Sequence, residues 1–425
     1  MKFDSLRFQR LFKEGFWIVF GQAMVMIGSL VGVKLLTGLL NPAEYGELAL
    51  GMTIATLINQ IILGPMGQGV MRFYAPAIEE DDLCGYLYAV KRLVFISAAI
   101  IMFVILIAIV GLNLAGRSEW ITISITSILF ASISGYNAIL SGIQSAARQR
   151  SVAAIHQGLE SWSRFLVAVG LISWLGATST VAMIGYALSA IFVVVSQSIY
   201  FLKIVPNPMA WIDCQKGWDR KILQYSWPMS IFGIFTWFQL VSDRWTLGLF
   251  RTTEEVGMYA TLFQLGYYPI SMATGMVVQF LAPIFFQRAG DGSHARRNAN
   301  VNILSWRLTG LSLGLTGIAF GITFLLHTQI FQIFVAQQYR EVSYLLPWVV
   351  LSGGIFAASQ TIALNLMSQA KTYTMMPTKI GTALLGVLLN LVGSYFYGTV
   401  GIVMASVMFS ISCFFSMAAL SKYQK

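Results

Sequence analysis

Apolar runs long enough to cross a bilayer follow one another from residue 15 to residue 420 of this 425-residue chain, and no other feature limits its fold so tightly. A hydrocarbon core of roughly 30 Å takes about 20 helical residues at a rise of about 1.5 Å each. Charged residues make up 10% of the sequence and hydrophobic residues 57%, where soluble domains carry about a quarter charged. No room remains for a sizeable soluble domain. The start, "MKFDSLRFQRLFKEGFWIVFGQAMVMIGSLVG", has a basic leader like a signal peptide, but its apolar run is too long and no small-residue cleavage site follows, so it is expected to stay as the first helix. Hydropathy places twelve helices at about 15–40, 46–70, 92–114, 120–146, 158–177, 180–202, 224–250, 256–286, 303–326, 344–369, 377–397 and 399–420.

The 27 Lys and Arg residues test that placement. Twenty fall in the gaps on one side, among them Arg7, Arg148, Lys216 and Arg296, while the other side holds only Arg117, Arg251 and Arg340. Basic residues gather in cytoplasmic loops, so both termini are expected to face the cytoplasm. The net charge of +10 is thereby spread over short loops beside anionic headgroups and implies no nucleic-acid partner. Cys84 and Cys214 fall in cytoplasmic segments and Cys413 in the last helix, so no disulfide is expected. His156, His294 and His327 are scattered, without a second ligand at metal spacing, and neither metal nor cofactor is implied.

The segment "VPNPMAWIDCQKGWDRK", 205–221, divides the helices six and six. It is the expected cytoplasmic linker between an N-terminal lobe, 1–204, and a C-terminal lobe, 222–425. A shift of 211 residues brings Glu44 onto Glu255, Gly46 onto Gly257, Gly64 onto Gly275 and Gln68 onto Gln279. The same shift lays Thr53, Thr56 and Gln60 on Gln264, Tyr267 and Ser271, each trio on one helical face. With one inserted residue, "VKLLTGLL" falls on "DRWTLGLF", matching Lys34 with Arg244. Even-numbered lobes imply parallel repeats related by an axis along the membrane normal.

"LLNPAEYGELALGMTIATLINQIILGPMGQGVMRFYAP" and "VSDRWTLGLFRTTEEVGMYATLFQL", set in this two-lobe pattern, resemble the Wzx-type polysaccharide transporters. These are lipid-linked oligosaccharide flippases of the multidrug/oligosaccharidyl-lipid/polysaccharide exporter (MOP) superfamily. The resemblance runs along essentially the whole chain. It implies an all-α integral membrane protein of about twelve helices, in two pseudo-symmetric six-helix lobes around a central cavity. It further implies a bacterial inner-membrane location and alternating access. The implied cargo is an undecaprenyl-pyrophosphate-linked oligosaccharide, an O-antigen, capsule or exopolysaccharide unit moved from the cytoplasmic to the periplasmic leaflet. Implied partners are this glycolipid, membrane lipids, and the glycan polymerase and export machinery.

The charges inside the spans bear on the choice of branch, since an ionisable group within a helix is costly unless it faces a cavity, a partner or the interface. Lys34, Arg164, Arg244 and Arg307 form a candidate cationic cavity suited to pyrophosphate or an acidic sugar. Gln60, Gln264, Tyr267 and Ser271 are candidates for sugar hydroxyls, with Trp237 a stacking surface. Asp243 is the candidate for ion coupling. Each has a structural alternative. Lys34 and Arg244 lie about 9 Å from their helix ends, within snorkelling reach. Glu160, four residues before Arg164, is placed to bridge to it. Arg307 starts an apolar run, where basic residues anchor helices, and Ser, Thr and Gln also join helices to one another. The spacings Gly28 to Gly32, Gly310 to Gly314 and Gly317 to Gly321 read as close-packing sites, and "LGPMGQG" as a bend in the second helix.

A phosphate-binding Gly-Lys-Ser/Thr motif is missing, so the chain is not expected to be an ATPase, and the transporter reading that follows makes it no enzyme. The preferred expectation is a glycolipid flippase. A cation-coupled small-molecule exporter of the same superfamily comes second, and needs more deep carboxylates than Asp243 alone. A membrane glycan polymerase comes third, because no outside loop exceeds about twenty residues on this helix placement.

Overall fold

The computed structural model describes residues 2–202, 217–290, 294–369 and 372–423. Its helices are α1 (Lys2–Leu39), α2 (Pro42–Ile58), α3 (Gly64–Glu79), α4 (Leu83–Leu114), α5 (Ile121–Ala146), α6 (Arg150–Leu175) and α7 (Ser179–Phe201). They continue with α8 (Trp218–Phe250), α9 (Thr253–Leu262), α10 (Tyr268–Ala289), α11 (Ala295–Phe334), α12 (Leu346–Ser368) and α13 (Thr372–Tyr423). The described residues contain no strand. Nine helical stretches among them are long and apolar enough to cross a membrane. The more polar α6 and α8 are not among the nine, although both coincide with expected spans. Each expected span lies on helical backbone to within a residue or two, and the last two are the halves of α13 on either side of Gly398, at φ 57°.

Two local devices recur. Asn41 accepts the N–H of Glu44 at 2.9 Å and Thr252 that of Glu255 at 3.3 Å, so the N-caps of α2 and α9 lie at the same offset of 211 as the glycines. Each cap supplies an acceptor for a backbone donor that has no partner within its helix. A π turn, Asn59–Leu63, joins α2 to α3, and another, Phe263–Tyr267, joins α9 to α10. Both stand just before a proline, Pro65 or Pro269, at the start of the next helix. A proline ring clashes with the carbonyl four residues back, and a one-residue slip relieves the clash. The N–H of Gly64 therefore reaches Asn59 O, and that of Tyr268 reaches Phe263 O. The bend expected at "LGPMGQG" thus takes the form of a π turn. The two π turns are 204 residues apart, so they pair Gln60 with Gln264 rather than with Ser271.

The chain forms two compact units: residues 1–39 with 48–237, and residues 40–47 with 238–425. The boundary falls inside α8, while 205–216 of the expected linker lie outside the described residues. In the first unit α6 packs closely on α1 and α7. Small residues permit the approach: a Cβ on Gly28 would stand 2.8 Å from Ser161 Oγ, and one on Gly32 would enter the Phe165 ring. A Cβ on Gly185 would stand 2.5 Å from Ala168 Cα. The Gly28/Gly32 spacing is thus a packing site, as expected. Gly310, Gly314, Gly317 and Gly321 have nothing within 4 Å of an added Cβ, which corrects the same reading for α11.

The starts of α4 and α8 are also pinned together in this unit. Asp82, the N-cap of α4, accepts from Trp218 Nε1 at 2.7 Å, and Lys221 lies 3.6 Å from Glu80. Cys84, on the first turn of α4, is disulfide-bonded. This corrects the expectation that no disulfide would form; contacts between segments 136 residues apart along the chain leave no local sequence trace.

The second unit packs α12 between α11 and α13. Its break at Gly398 is capped from both sides. Arg251 donates to the carbonyls of Ser394 and Tyr395, each at 3.1 Å, and Glu255 accepts from Thr399 N at 3.0 Å and Thr399 Oγ1 at 3.1 Å. A cation at carbonyl ends and an anion at N–H ends suit the helix dipole on each side of the break. Gly398→Ala is expected to cost about 1–3 kcal/mol, because an L residue is strained at this φ and ψ and its Cβ would meet the Glu255 carboxylate. Thermal unfolding in detergent measures it; an unshifted midpoint would dismiss the account.

Candidate functional site

In the second unit α8 brings Ser242, Asp243 and Arg244 in succession against α9, its π turn and α13. Asp243 is 7% exposed. Its Oδ2 accepts from Tyr259 at 2.7 Å, and its Oδ1 accepts the backbone N–H of Arg244 at 2.7 Å. The Arg244 guanidinium reaches only 3.8 Å from Oδ1. Adjacent helical residues point about 100° apart, so Arg244 turns elsewhere, its Cζ resting 4.3 Å above the Phe263 ring. Phe263 stacks on Tyr267 at 4.9 Å, which sets two aromatic faces and one cation around the π turn. Asn390 donates to Ser242 Oγ at 2.8 Å and completes the polar join of α8 to α13.

A cavity opens beside this group, lined in part by Asp243, Tyr259, Tyr267, Ser352, Asn390 and Ser406. Its chemistry is mixed: one acid already engaged, hydroxyls, the amides of Gln239 and Asn390, and aromatic walls. Arg307 is exposed on α11 and Ser271 on α10, while Gln264 is half-buried in the π turn; none of these three lines the cavity. Tyr259, Ser352, Asn390 and Ser406 were not singled out from sequence. Their signal was available as polar residues within apolar helices, but no local spacing ties them to Asp243.

The first unit holds the remaining candidates. Lys34 is exposed on α1, one turn before the buried Thr37. Gln60 lies in the π turn, half-buried, with Gly233 closing on its carbonyl. Trp237 Nε1 donates to Thr53 O at 2.8 Å, so the indole's polar edge is committed to the backbone of α2. Arg164 does not bridge to Glu160 as the spacing suggested. Its Cζ lies 4.8 Å from the Phe165 ring and 5.2 Å from the Tyr186 ring, and its Nε is without a hydrogen-bond partner. Glu160 turns to α5 instead, accepting from Ser134 Oγ at Oε1 and from Asn137 Nδ2 at Oε2, the latter at 2.7 Å. Two neutral donors displace the ion pair because α5 lies closer to that face of α6 than helical spacing alone can reveal.

A family model described as "Polysaccharide biosynthesis protein" matches residues 11–288. No curated protein matches the sequence. Several solved structures are similar over nearly their whole length. The inward-facing conformation of a multidrug resistance MATE family transporter of the MOP superfamily superposes with a TM-score of 0.73, at 13% identity, over 95% of each chain. The lipid II flippase MurJ in an inward closed conformation gives 0.67 at 12% identity, over 97% of this chain and 87% of that one. A mutant of the Vibrio cholerae MATE transporter VcmN gives 0.63 at 14% identity, over 98% and 97%. At such identities the likeness is one of fold: an all-helical, multi-pass membrane architecture shared with MOP-superfamily transporters.

Proposed function

The chain belongs to the polysaccharide biosynthesis protein family, and from that premise we propose that it flips an undecaprenyl-pyrophosphate-linked oligosaccharide across the bacterial inner membrane by alternating access. The observation that carries this reading is the Arg244 group: a half-buried guanidinium seated on Phe263, beside stacked Tyr267 and a cavity rich in hydroxyls. Guanidinium pairs strongly with phosphate oxygens where water is scarce. Aromatic faces and hydroxyls suit the apolar faces and hydroxyls of sugars. Lys34, Arg164 and Arg307 are further proposed cationic contacts, and Gln60, Gln264, Ser271 and Trp237 further proposed sugar contacts. Both termini face the cytoplasm in this reading, as the distribution of Lys and Arg supports. Glycan polymerase and export machinery would receive the product.

The test is transport in reconstituted vesicles. A pyrophosphate-linked, fluorescently tagged glycolipid should cross in the presence of the protein and gain access to an outside quencher or lectin. A cationic drug carried in its place, with no glycolipid movement, would establish the exporter reading instead.

A further inference from the structure

Between the two halves of α13 a groove of about 430 Å³ opens to the surface of the second unit, with Thr378, Gly381 and Thr382 on one wall and Ser412, Ser416 and Ala419 on the other. Proteins hold small ligands in spaces of about 300–1,000 Å³. Two of the groove's hydroxyls are committed, Thr382 donating to Thr378 O at 2.9 Å and Ser412 to Met408 O at 2.8 Å. Those of Thr378 and Ser416 make no hydrogen bond among the described residues. Lys379 is half-buried beside them. It lies within electrostatic reach of Cys413, which is itself hydrogen-bonded to Thr382, so the lysine sits where the two halves meet.

The ammonium of Lys379 forms no hydrogen bond or ion pair among the described residues, and α10 to α13 contain no Asp or Glu that could offer one. Lys379 and Ser416 each stand seven residues from an end of α13, about 10 Å along the axis. They therefore share one depth. A cation that far into a spanning helix is costly unless it meets an anion or reaches water. Leu384 and Phe415, flanking the groove, are 64% and 65% exposed, as side chains that face hydrocarbon are.

We propose that this groove holds an anionic phospholipid of the leaflet nearest the two ends of α13, its phosphate taken by Lys379, Thr378 and Ser416 and one acyl chain lying over Gly381 and Ala419. The charge is complementary, because three idle donors and no acid surround the place where a phosphate would sit. Free phosphate is a poor occupant, since the groove opens among apolar side chains rather than to water. A lipid brings its charge at the depth of the ammonium and its chain at the depth of the small residues. The site goes beyond glycolipid transport, for its occupant is a resident lipid and not the cargo.

The experiment uses the full-length protein in phosphatidylcholine nanodiscs that contain a small share of phosphatidylglycerol with a photoactivatable acyl chain, and maps crosslinked peptides by mass spectrometry. Crosslinks should concentrate on residues 378–385 and 412–420, and unlabelled phosphatidylglycerol should compete them away where added phosphatidylcholine does not. Lys379→Gln should cut the crosslinking by about tenfold or more, as the loss of a charged hydrogen-bond partner implies, and Lys379→Arg should keep it. Gly381→Leu fills the groove from a position with nothing within 4 Å of an added Cβ, so crosslinking should fall while the unfolding temperature holds. Labelling indifferent to both Lys379→Gln and Gly381→Leu, or competed equally by phosphatidylcholine, would overturn the proposal and leave Lys379 as a side chain reaching for water. So would displacement by a pyrophosphate-linked glycolipid and not by phosphatidylglycerol, which would assign the groove to the cargo. Should Lys379→Gln not fold, the other two variants decide: crosslinking kept in Lys379→Arg and lost in Gly381→Leu upholds the site, and any other pattern overturns it. Competition between the two phospholipids involves no cargo, so its outcome is independent of the glycolipid reading.

Discussion

Replacing Arg244 with glutamate is expected to abolish glycan export while the protein still inserts in the membrane. The guanidinium is partly accessible, at 13% of its side-chain surface, and rests on Phe263 next to the cavity. A hydrogen bond to a charged group contributes about 1.5–3 kcal/mol, so Arg244→Ala should slow transport by about 10- to 100-fold. Charge reversal adds repulsion of the pyrophosphate and places a second carboxylate beside Asp243, 7% exposed, with nothing left to balance it. Arg244→Lys should retain part of the activity, since charge survives but the planar donor pair does not. Complementation in a strain lacking its glycan transporter, with membrane levels measured in parallel, reads all three. Full export by Arg244→Gln would mean that the side chain only reaches toward the interface, and the cationic site would have to be abandoned.

The other large effect is expected at the crossing of α2 and α9. A Cβ on Gly46 would collide with Thr253 O, and one on Gly257 with Pro42 O; each added Cβ would also stand about 3 Å from the other glycine's backbone nitrogen. These residues occupy equivalent positions in the two halves of the sequence, and both belong to the second compact unit. The obstruction is backbone on both sides, so no side chain can rotate to make room. Overpacking where side chains can adjust costs about 1–3 kcal/mol, and Gly46→Leu or Gly257→Leu should exceed that range. Either change alone should remove folded protein from a size-exclusion trace. The double variant should be little worse than one, since both disrupt a single contact. Normal yield and unfolding temperature for Gly46→Leu would show that the crossing is not held as described.

Much of this crossing was legible in advance. The matched Glu44 with Glu255 and Gly46 with Gly257 follow from caps and a close approach, both of which leave local marks. Helix positions were equally readable, because lipid demands long apolar runs whatever the tertiary arrangement. The site was read less well. Asp243 and Arg244 were found as charges in an apolar setting, yet Tyr259 and Asn390 join them only through packing of α8 on α9 and α13. Glu160 was visible, but its partner was misassigned: a four-residue spacing says that Arg164 can reach it and nothing about Asn137, 23 residues away, which does. Trp237 was read as a stacking surface, whereas its N–H is bound to a carbonyl 184 residues earlier. The offset of 211 held at the helix caps and failed one π turn later, because prolines, rather than the repeat, determine where the backbone slips.

Each of those slips stores one residue beyond what an α-helix of the same length would contain. If a π turn relaxed to α geometry, the helix beyond it would advance by about 1.5 Å and turn by about 100°. Every side chain from Gly64 to Glu79, or from Tyr268 to Ala289, would then face a new direction without any hinge opening and without the loss of more than one hydrogen bond. A helix built this way is a screw with one spare thread, and Pro65 and Pro269 are the stops that keep it from running on.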